Sequence, residues 1–316
     1  MRVGMLRRVF IFIAVVCVAG LAGFWWLTIP AVVPASALPA HTPDLANGRT
    51  TFNAGGCSSC HAVPNQPDRT RLGGGLAISS PFGTFYVPNI SPDPVDGIGR
   101  WSEADFVTAL TRGTSPEGTH YFPAFPYTSY QHARISDLRD LFAYLKTLPP
   151  VSGRVRGHDV PFPFNIRRNI GIWKLLFMDG KPLVQDAAKS PQWNRGAYLV
   201  NALGHCAECH SPRNALGGII PAQRFAGGPN PEGKGWVPNI TQKGLSDWSE
   251  KDLAYFLETG MLPDGDSVGG SMTAVIKNTS QLSAEDRAVM AAYIKSLPPV
   301  EGPQRPKGKA QHDHGA

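Results

Sequence analysis

The hydropathy pattern splits the chain into one long apolar run and a much longer stretch of short, broken periodicities. From Val9 to Leu27, nineteen residues pass without a charge, enough to cross a bilayer as a single helix. Arg2, Arg7 and Arg8 precede the run, and Trp25 and Trp26 stand at its far end. Cations on the cytoplasmic side and aromatic rings at the opposite interface suit a membrane span. The pattern therefore predicts a cytoplasmic segment over 1–8, a transmembrane anchor over 9–29, and everything after Pro30 on the outer side. The competing reading is a cleaved signal peptide, because Ala35-Ser36-Ala37 offers a small-x-small site. The run is longer than a usual signal core and that site lies several residues past its end, which favours retention. Cys17 sits inside the run as an apolar filler.

Beyond a Pro- and Ala-rich stretch over 30–44, which reads as a semi-rigid spacer, the pattern repeats. Val87-Pro88-Asn89-Ile90 recurs as Val237-Pro238-Asn239-Ile240, Trp101-Ser102-Glu103 as Trp248-Ser249-Glu250, and Leu148-Pro149-Pro150-Val151 as Leu297-Pro298-Pro299-Val300. The offsets are 150, 147 and 149 residues, so two copies of one domain are expected, over 45–151 and 193–300. In each copy a short helix is expected first, over Leu45–Cys57 and Arg195–Cys206. A second opens at Ser102 or Ser249 with Asp three residues on, a capping box in outline. A last helix starts at Ser136 or Ser283 and stops at a Pro-Pro pair. In the first copy its apolar positions Leu138, Leu141, Phe142, Leu145 and Leu148 form one buried face. Segment 152–192 has no counterpart in the repeat. Its aromatic density argues that it packs at the interface between the copies, with docking of another subunit as the alternative. The tail, 301–316, reads as disordered, with a weak metal-binding role for His312 and His314 as the alternative.

Composition adds 34 Gly and 29 Pro, which leaves little room for long regular elements. The net charge of +6 is spread and not gathered into a stripe, so nucleic acid is not an expected partner. Four of the five cysteines fall in two pentapeptides, Cys57-Ser58-Ser59-Cys60-His61 and Cys206-Ala207-Glu208-Cys209-His210, 149 residues apart. C-x-x-C-H is the attachment pattern of a c-type haem. Two thiols on one helical turn reach the two vinyl groups, and the following imidazole meets the iron. A structural zinc site would want further Cys or His ligands at matched spacing, and a thioredoxin-like pair is the other alternative. The expectation is two covalently bound haems c, held by Cys57, Cys60, Cys206 and Cys209, with His61 and His210 on the irons. Short helices, long loops and one haem per unit give a mainly α fold: two tandem cytochrome c domains behind one N-terminal transmembrane helix.

The sixth iron position separates electron transfer from chemistry on a bound molecule. In the second copy Met272 stands in the loop before the last helix and is the expected ligand. Trp248 to Met272 is 24 residues, and so is Trp101 to Phe125. The first copy thus carries phenylalanine at the equivalent place, which cannot bind iron. His120, His132 or an open position are the candidates there, with His120 preferred.

The run Phe82-Gly83-Thr84-Phe85-Tyr86-Val87-Pro88-Asn89-Ile90, then Gly97-Ile98-Gly99-Arg100-Trp101-Ser102, resembles the cytochrome c subunits of membrane-bound alcohol and aldehyde dehydrogenases. So does Tyr121-Phe122-Pro123-Ala124-Phe125-Pro126-Tyr127. Gly227 to Gly235 and Gly269-Gly270-Ser271-Met272 are similar to two-haem members of that wider group. The resemblance covers about residues 46–300. It implies a non-catalytic electron-transfer subunit that takes electrons from a periplasmic dehydrogenase and passes them to quinone, an oxidase or a soluble cytochrome. The alcohol dehydrogenase subunits usually carry three haems and generally have Met where this chain has Phe125. Two further readings stand beside this one. The first is a haem enzyme of the peroxidase or thiosulfate-oxidising type using the first haem, although no third cysteine is available for thiosulfate chemistry. The second is the cytochrome c subunit of a terminal oxidase. The expected place is the bacterial inner membrane with the haems in the periplasm, or the soluble periplasm if the leader is cut.

Overall fold

The computed structural model describes residues 2–233 and 235–306; the tail histidines His312 and His314 lie outside them. The apolar run folds as helix α1 (Arg2–Leu27). Within it, Gly4–Leu27 has a mean hydropathy of 2.4 and is long and apolar enough to cross a membrane. Its apolar side chains, such as Phe10, Phe12 and Trp26, are exposed. Directly after α1, however, Thr28 is completely buried.

The first copy contains α2 (Leu45–Ala54), α3 (Cys57–His61), the strands β1 (Ala77–Ser80) and β2 (Gly83–Tyr86), then α4 (Glu103–Arg112), α5 (Tyr127–Tyr130) and α6 (Ile135–Leu145). Helix α7 (Asn169–Phe177) lies between the copies. The second copy contains α8 (Pro191–Tyr198), prolonged by a π-helical turn over Leu199–Leu203, α9 (Ala207–His210), β3 (Gly228–Pro229), β4 (Trp236–Val237), α10 (Glu250–Thr259), α11 (Met272–Thr279) and α12 (Ala284–Lys295). Both strand pairs are antiparallel, with Ala77 opposite Tyr86 and Gly228 opposite Val237. They are too short and too rich in Gly and Ser to show in a hydropathy pattern.

The repeated capping boxes form as the residues dictate. Ser102 Oγ accepts the Asp105 amide at 3.1 Å while Asp105 accepts the Ser102 amide at 2.9 Å, and Ser249 and Asp252 repeat this at 3.1 and 2.8 Å. Ser283 caps α12 by accepting the Asp286 amide. Ser136 does not cap α6, which begins one residue earlier behind Arg134. The apolar face of the last helix is buried at Leu138, Leu141, Phe142 and Leu145. Against it crosses the first helix of the copy, and the crossing has a feature that periodicity does not reveal. Gly48 of α2 sits so close to the Asp140 carbonyl of α6 that any side chain would collide with it. Gly196 of α8 meets the Val289 carbonyl of α12 in the same way. The two helices touch backbone to backbone in both copies.

Residues 30–44 are not a free spacer. The Val33 amide donates to Thr108 Oγ1 at 2.9 Å, and His41 Nε2 meets Asp140 Oδ1 at 2.6 Å. Segment 152–192 is equally engaged. Lys174 Nζ donates to the Arg112 and Gly113 carbonyls at 2.7 Å, and Trp173 Nε1 donates to the Leu216 carbonyl at 2.9 Å. One helix, α7, thereby touches both copies. At the other end, Glu301 pairs with Lys243 at 2.7 Å, so the chain stays in contact with the second copy past Val300.

The crossing glycines set a quantitative expectation. Gly→Ala within an exposed helix gains up to about 1 kcal/mol of helix propensity, whereas forcing a methyl into a packed crossing costs about 1–3 kcal/mol. Gly48→Ala and Gly196→Ala should each lower the thermal unfolding midpoint, read by far-ultraviolet circular dichroism. A raised midpoint would show that the helices separate freely by the width of a methyl group.

Candidate functional site

The first pentapeptide is a helical turn of its own and not the C-terminal end of α2. The break comes at Gly55-Gly56, where Gly56 takes the left-handed conformation at φ 60° that glycine adopts without cost. In the second copy His205 occupies that place at φ 40°, an uncommon conformation for a residue with a side chain. None of the four cysteines of the pentapeptides is in a disulfide. Burial pushes the pKa of Cys57 up to about 12 and that of Cys60 up to about 11. Cys206 and Cys209 rise to about 11 and about 12 for the same reason. Among the described residues no group of three or more His, Cys, Asp or Glu side chains is arranged to hold a metal ion by itself.

Each pentapeptide histidine is held the same way. His61 Nδ1 lies 2.8 Å from the Pro88 carbonyl, and His210 Nδ1 lies 2.8 Å from the Pro238 carbonyl. A carbonyl oxygen only accepts, so Nδ1 carries the proton and Nε2 keeps its lone pair free. Crowding by the surrounding protein pushes the His61 pKa down to about 4 and lowers that of His210 as well. Both imidazoles are therefore neutral at pH 7, the form a metal needs. The proline loops are themselves fixed. Asn89 Nδ2 donates to the Val151 carbonyl at 2.6 Å, and Asn239 Nδ2 donates to the Val300 carbonyl at 2.8 Å. The repeated Val-Pro-Asn-Ile and Leu-Pro-Pro-Val stretches are thus two halves of one brace behind the histidine. In the first copy Ile90, Trp101 and Phe125 are large apolar side chains left half-exposed against the core, and in the second Ile240, Trp248 and Phe256 are the same. An apolar rim, two thiols and one Nε2 lone pair per copy are what a covalently attached haem requires.

The opposite side of each site differs between copies. Gly113 and Gly260 end α4 and α10, both left-handed. The loops after these glycines repeat bond for bond. The Tyr121 amide donates to the Gly113 carbonyl at 2.7 Å, and the Val268 amide donates to the Gly260 carbonyl at 2.8 Å. His120 then matches Ser267 across equivalent bridges, and the same 147-residue offset pairs Phe125 with Met272 in the sequence. His120, the preferred ligand from sequence, is used elsewhere. Its Nε2–H donates to the Thr28 carbonyl at 2.9 Å, and its Nδ1 accepts from Lys174 Nζ at 3.0 Å. Neither nitrogen is left for iron. His132 Nδ1 donates to the Lys181 carbonyl at 2.7 Å. Phe125 instead lies among aromatic rings, with its centroid 5.8 Å from Tyr121 and 5.9 Å from Tyr130.

Sequence reasoning misses how closely the two turns meet. His205 Nε2 donates to the Gly55 carbonyl at 3.2 Å, and Tyr130 Oη donates to the same carbonyl at 3.0 Å. The Tyr130 and His205 rings lie edge to face at 5.8 Å. Around this contact each copy grips the other's turn. From the first copy, Thr128 and Ser129 of α5 donate to the Glu208 carboxylate, which Arg213 neutralises at 2.7 Å. From the second, Asn278 of α11 accepts from Ser58 at 2.7 Å and donates to Ser59 at 2.7 Å. The residues between the cysteines, which the motif leaves unspecified, carry this docking.

Comparison with known proteins gives the same reading. The cytochrome c family model matches residues 45–149 and again 194–298. A diheme cytochrome c-type protein of Cereibacter sphaeroides is 50% identical over 291 residues, 92% of this chain and 97% of that protein. The fructose dehydrogenase cytochrome subunit of Gluconobacter japonicus is 37% identical over 82% of this chain and 54% of its own length. The alcohol dehydrogenase (quinone) cytochrome c subunit of Gluconobacter oxydans is 34% identical over 85% of this chain and 58% of its own. The chain thus spans little more than half the length of those two dehydrogenase subunits. Replacing Cys206 and Cys209 with serine should halve the covalent haem per polypeptide, measured as pyridine haemochrome absorbance after denaturation. An unchanged ratio would rule out the second turn as an attachment site.

Proposed function

The chain belongs to the cytochrome c family and carries two covalently bound haems c, and on that premise we propose that it is the membrane-anchored electron-transfer subunit of a dehydrogenase complex. It takes single electrons from a catalytic subunit on the periplasmic side and passes them to the respiratory chain through quinone, an oxidase or a soluble cytochrome. The direct contact of the two attachment turns, through His205, Tyr130 and Gly55, carries this reading. It joins the two turns that would hold the haems through packed protein, which a relay would need and a single-haem enzyme would not. The cytochrome subunits of fructose and alcohol dehydrogenases among the relatives support a dehydrogenase as donor.

In this assignment Cys57 and Cys60 form thioether bonds to the first haem, and Cys206 and Cys209 to the second. His61 and His210 present Nε2 to the irons. The bound haems supply one-electron redox chemistry, and the chain sets its level. The proline carbonyls fix each imidazole's tautomer and raise its basicity. Met272 closes the second iron, and a thioether ligand raises the potential. Phe125 gives the first iron no donor atom, so His61 is its only protein ligand and its potential is the lower. With haems bound, this ligand difference would make the first copy the entry side of the relay and the second copy the exit side. The segment directly after α1 supports a retained anchor. Cutting after Ala37 would discard Thr28 and Val33, both of which bond to the body of the first copy.

An iron with an open position is also what a haem enzyme would use, so peroxidase turnover, and not carbon monoxide binding alone, separates the two readings. The reduced protein should bind one carbon monoxide per chain, at the lower-potential haem, and show no peroxidase turnover. Met272→Ala should lower the higher midpoint potential and raise carbon monoxide binding to two per chain. No binding to the parent protein would restore a sixth ligand to the first haem, with His132→Ala testing that residue. Two equal potentials would overturn the direction of transfer.

A further inference from the structure

Helix α7 is apolar at all but two of its positions, Asn169 and Lys174: Asn-Ile-Gly-Ile-Trp-Lys-Leu-Leu-Phe. A helix of that kind is buried on every side in its working environment. The protein accounts for only part of it. Gly171 lies against Thr28, where a Cβ would come within 2.6 Å of the Thr28 Cβ. Lys174 reaches into the first copy, and Trp173 and Phe177 cover the loop at Leu216 and Gly218 of the second. At 100° per residue, the remaining stripe is Ile172, Leu175 and Leu176. Leu175 is 57% exposed and Leu176 60%. The stripe flanks Gly171, so it begins where the chain leaves α1.

The apolar surface continues around that junction. Ile29, Phe162, Phe164 and Ile166 are all exposed. The junction itself is closed. The Arg168 guanidinium lies 4.2 Å from the Trp25 ring, and its Nε donates to Thr28 Oγ1 at 2.7 Å. The height of this surface relative to the last turn of α1 is therefore fixed, and that turn carries Trp25 and Trp26, the rings suited to a membrane interface. Surface that is contiguous with a membrane-crossing helix and level with its aromatic end faces the same solvent as that end.

We propose that the inter-domain segment around α7 is a lipid-binding surface. It lies in the headgroup–acyl boundary of the bilayer that α1 crosses, with Leu175, Leu176 and Phe162 entering the lipid. Interfacial helices of this kind sink about 5–10 Å into that boundary. The first copy is thereby held against the membrane at two places, α1 and α7, and cannot swing on a single tether. This rests on the reading of α1 as a retained anchor.

The test uses the full haem-loaded chain with Cys17→Ala, reconstituted into vesicles of phosphatidylethanolamine and phosphatidylglycerol. A nitroxide is attached in turn at Leu176→Cys, at Phe12→Cys within α1, and at Tyr255→Cys on the exposed side of α10. Power-saturation spectroscopy compares collisions with oxygen, which concentrates in lipid, and with a water-soluble nickel chelate. Oxygen should dominate several-fold at positions 176 and 12, and the chelate at 255. Dominance of the chelate at 176 with oxygen still dominant at 12 would overturn the proposal while leaving the anchor intact. Low access to both reagents at 176 would mean that a second copy covers α7, and would overturn it equally. Chelate dominance at position 12 would remove the anchor, and this inference with it.

Discussion

A hydrogen bond from a histidine ring to a proline carbonyl is the constraint on which the rest of each domain depends. Proline removes its own N–H but leaves a carbonyl free to accept. The bond decides which nitrogen of His61 or His210 is free and where it points. It works only if the proline loop is rigid, and Asn89 and Asn239 make it so by tying the loop to the chain beyond the last helix. That helix in turn is held by its backbone-to-backbone crossing with the first. The site is thus braced by elements from both ends of each copy, and a change at either crossing reaches the histidine.

The two copies share this frame and differ in what they hang on it. Their backbone bonds repeat through the loops after Gly113 and Gly260 as far as Tyr121 and Val268, and beyond that point the two copies diverge, with Phe125 and Met272 in the diverging stretch. Tyr121, Tyr127 and Tyr130 cluster around Phe125 and give the first copy an aromatic wall there. That wall leads on, ring by ring, to His205 and the second attachment turn.

Much of this is legible in the residues. The attachment turns, the duplication and its offset, the capping boxes and the register that equates Phe125 with Met272 come from spacing alone. The illegible part depends on contacts between residues far apart in the chain. His120 has the right loop and the right chemistry for a ligand, but a histidine beside a buried threonine carbonyl and a lysine is already spent, and nothing local announces Thr28 or Lys174. The break before Cys57 is hidden because Gly55-Gly56 and Gly204-His205 look unlike, although the backbone turns the same way at both. Gly48 and Gly196 stay silent because a glycine inside a helical pattern shows no sign of what it touches. The proline carbonyls are visible as a repeated motif, without their purpose.

His205 carries a further consequence. In the first copy the turn before the pentapeptide is a glycine that sits in its left-handed conformation at no cost. In the second it is a histidine whose backbone is strained and whose ring bonds to a carbonyl of the other copy. The second attachment turn is therefore completed by a surface it does not own. The two halves began as equivalents, yet the second could not be lifted out and expected to hold its shape alone. Duplication has here produced a dependent pair, in which the first half serves as part of the scaffold of the second.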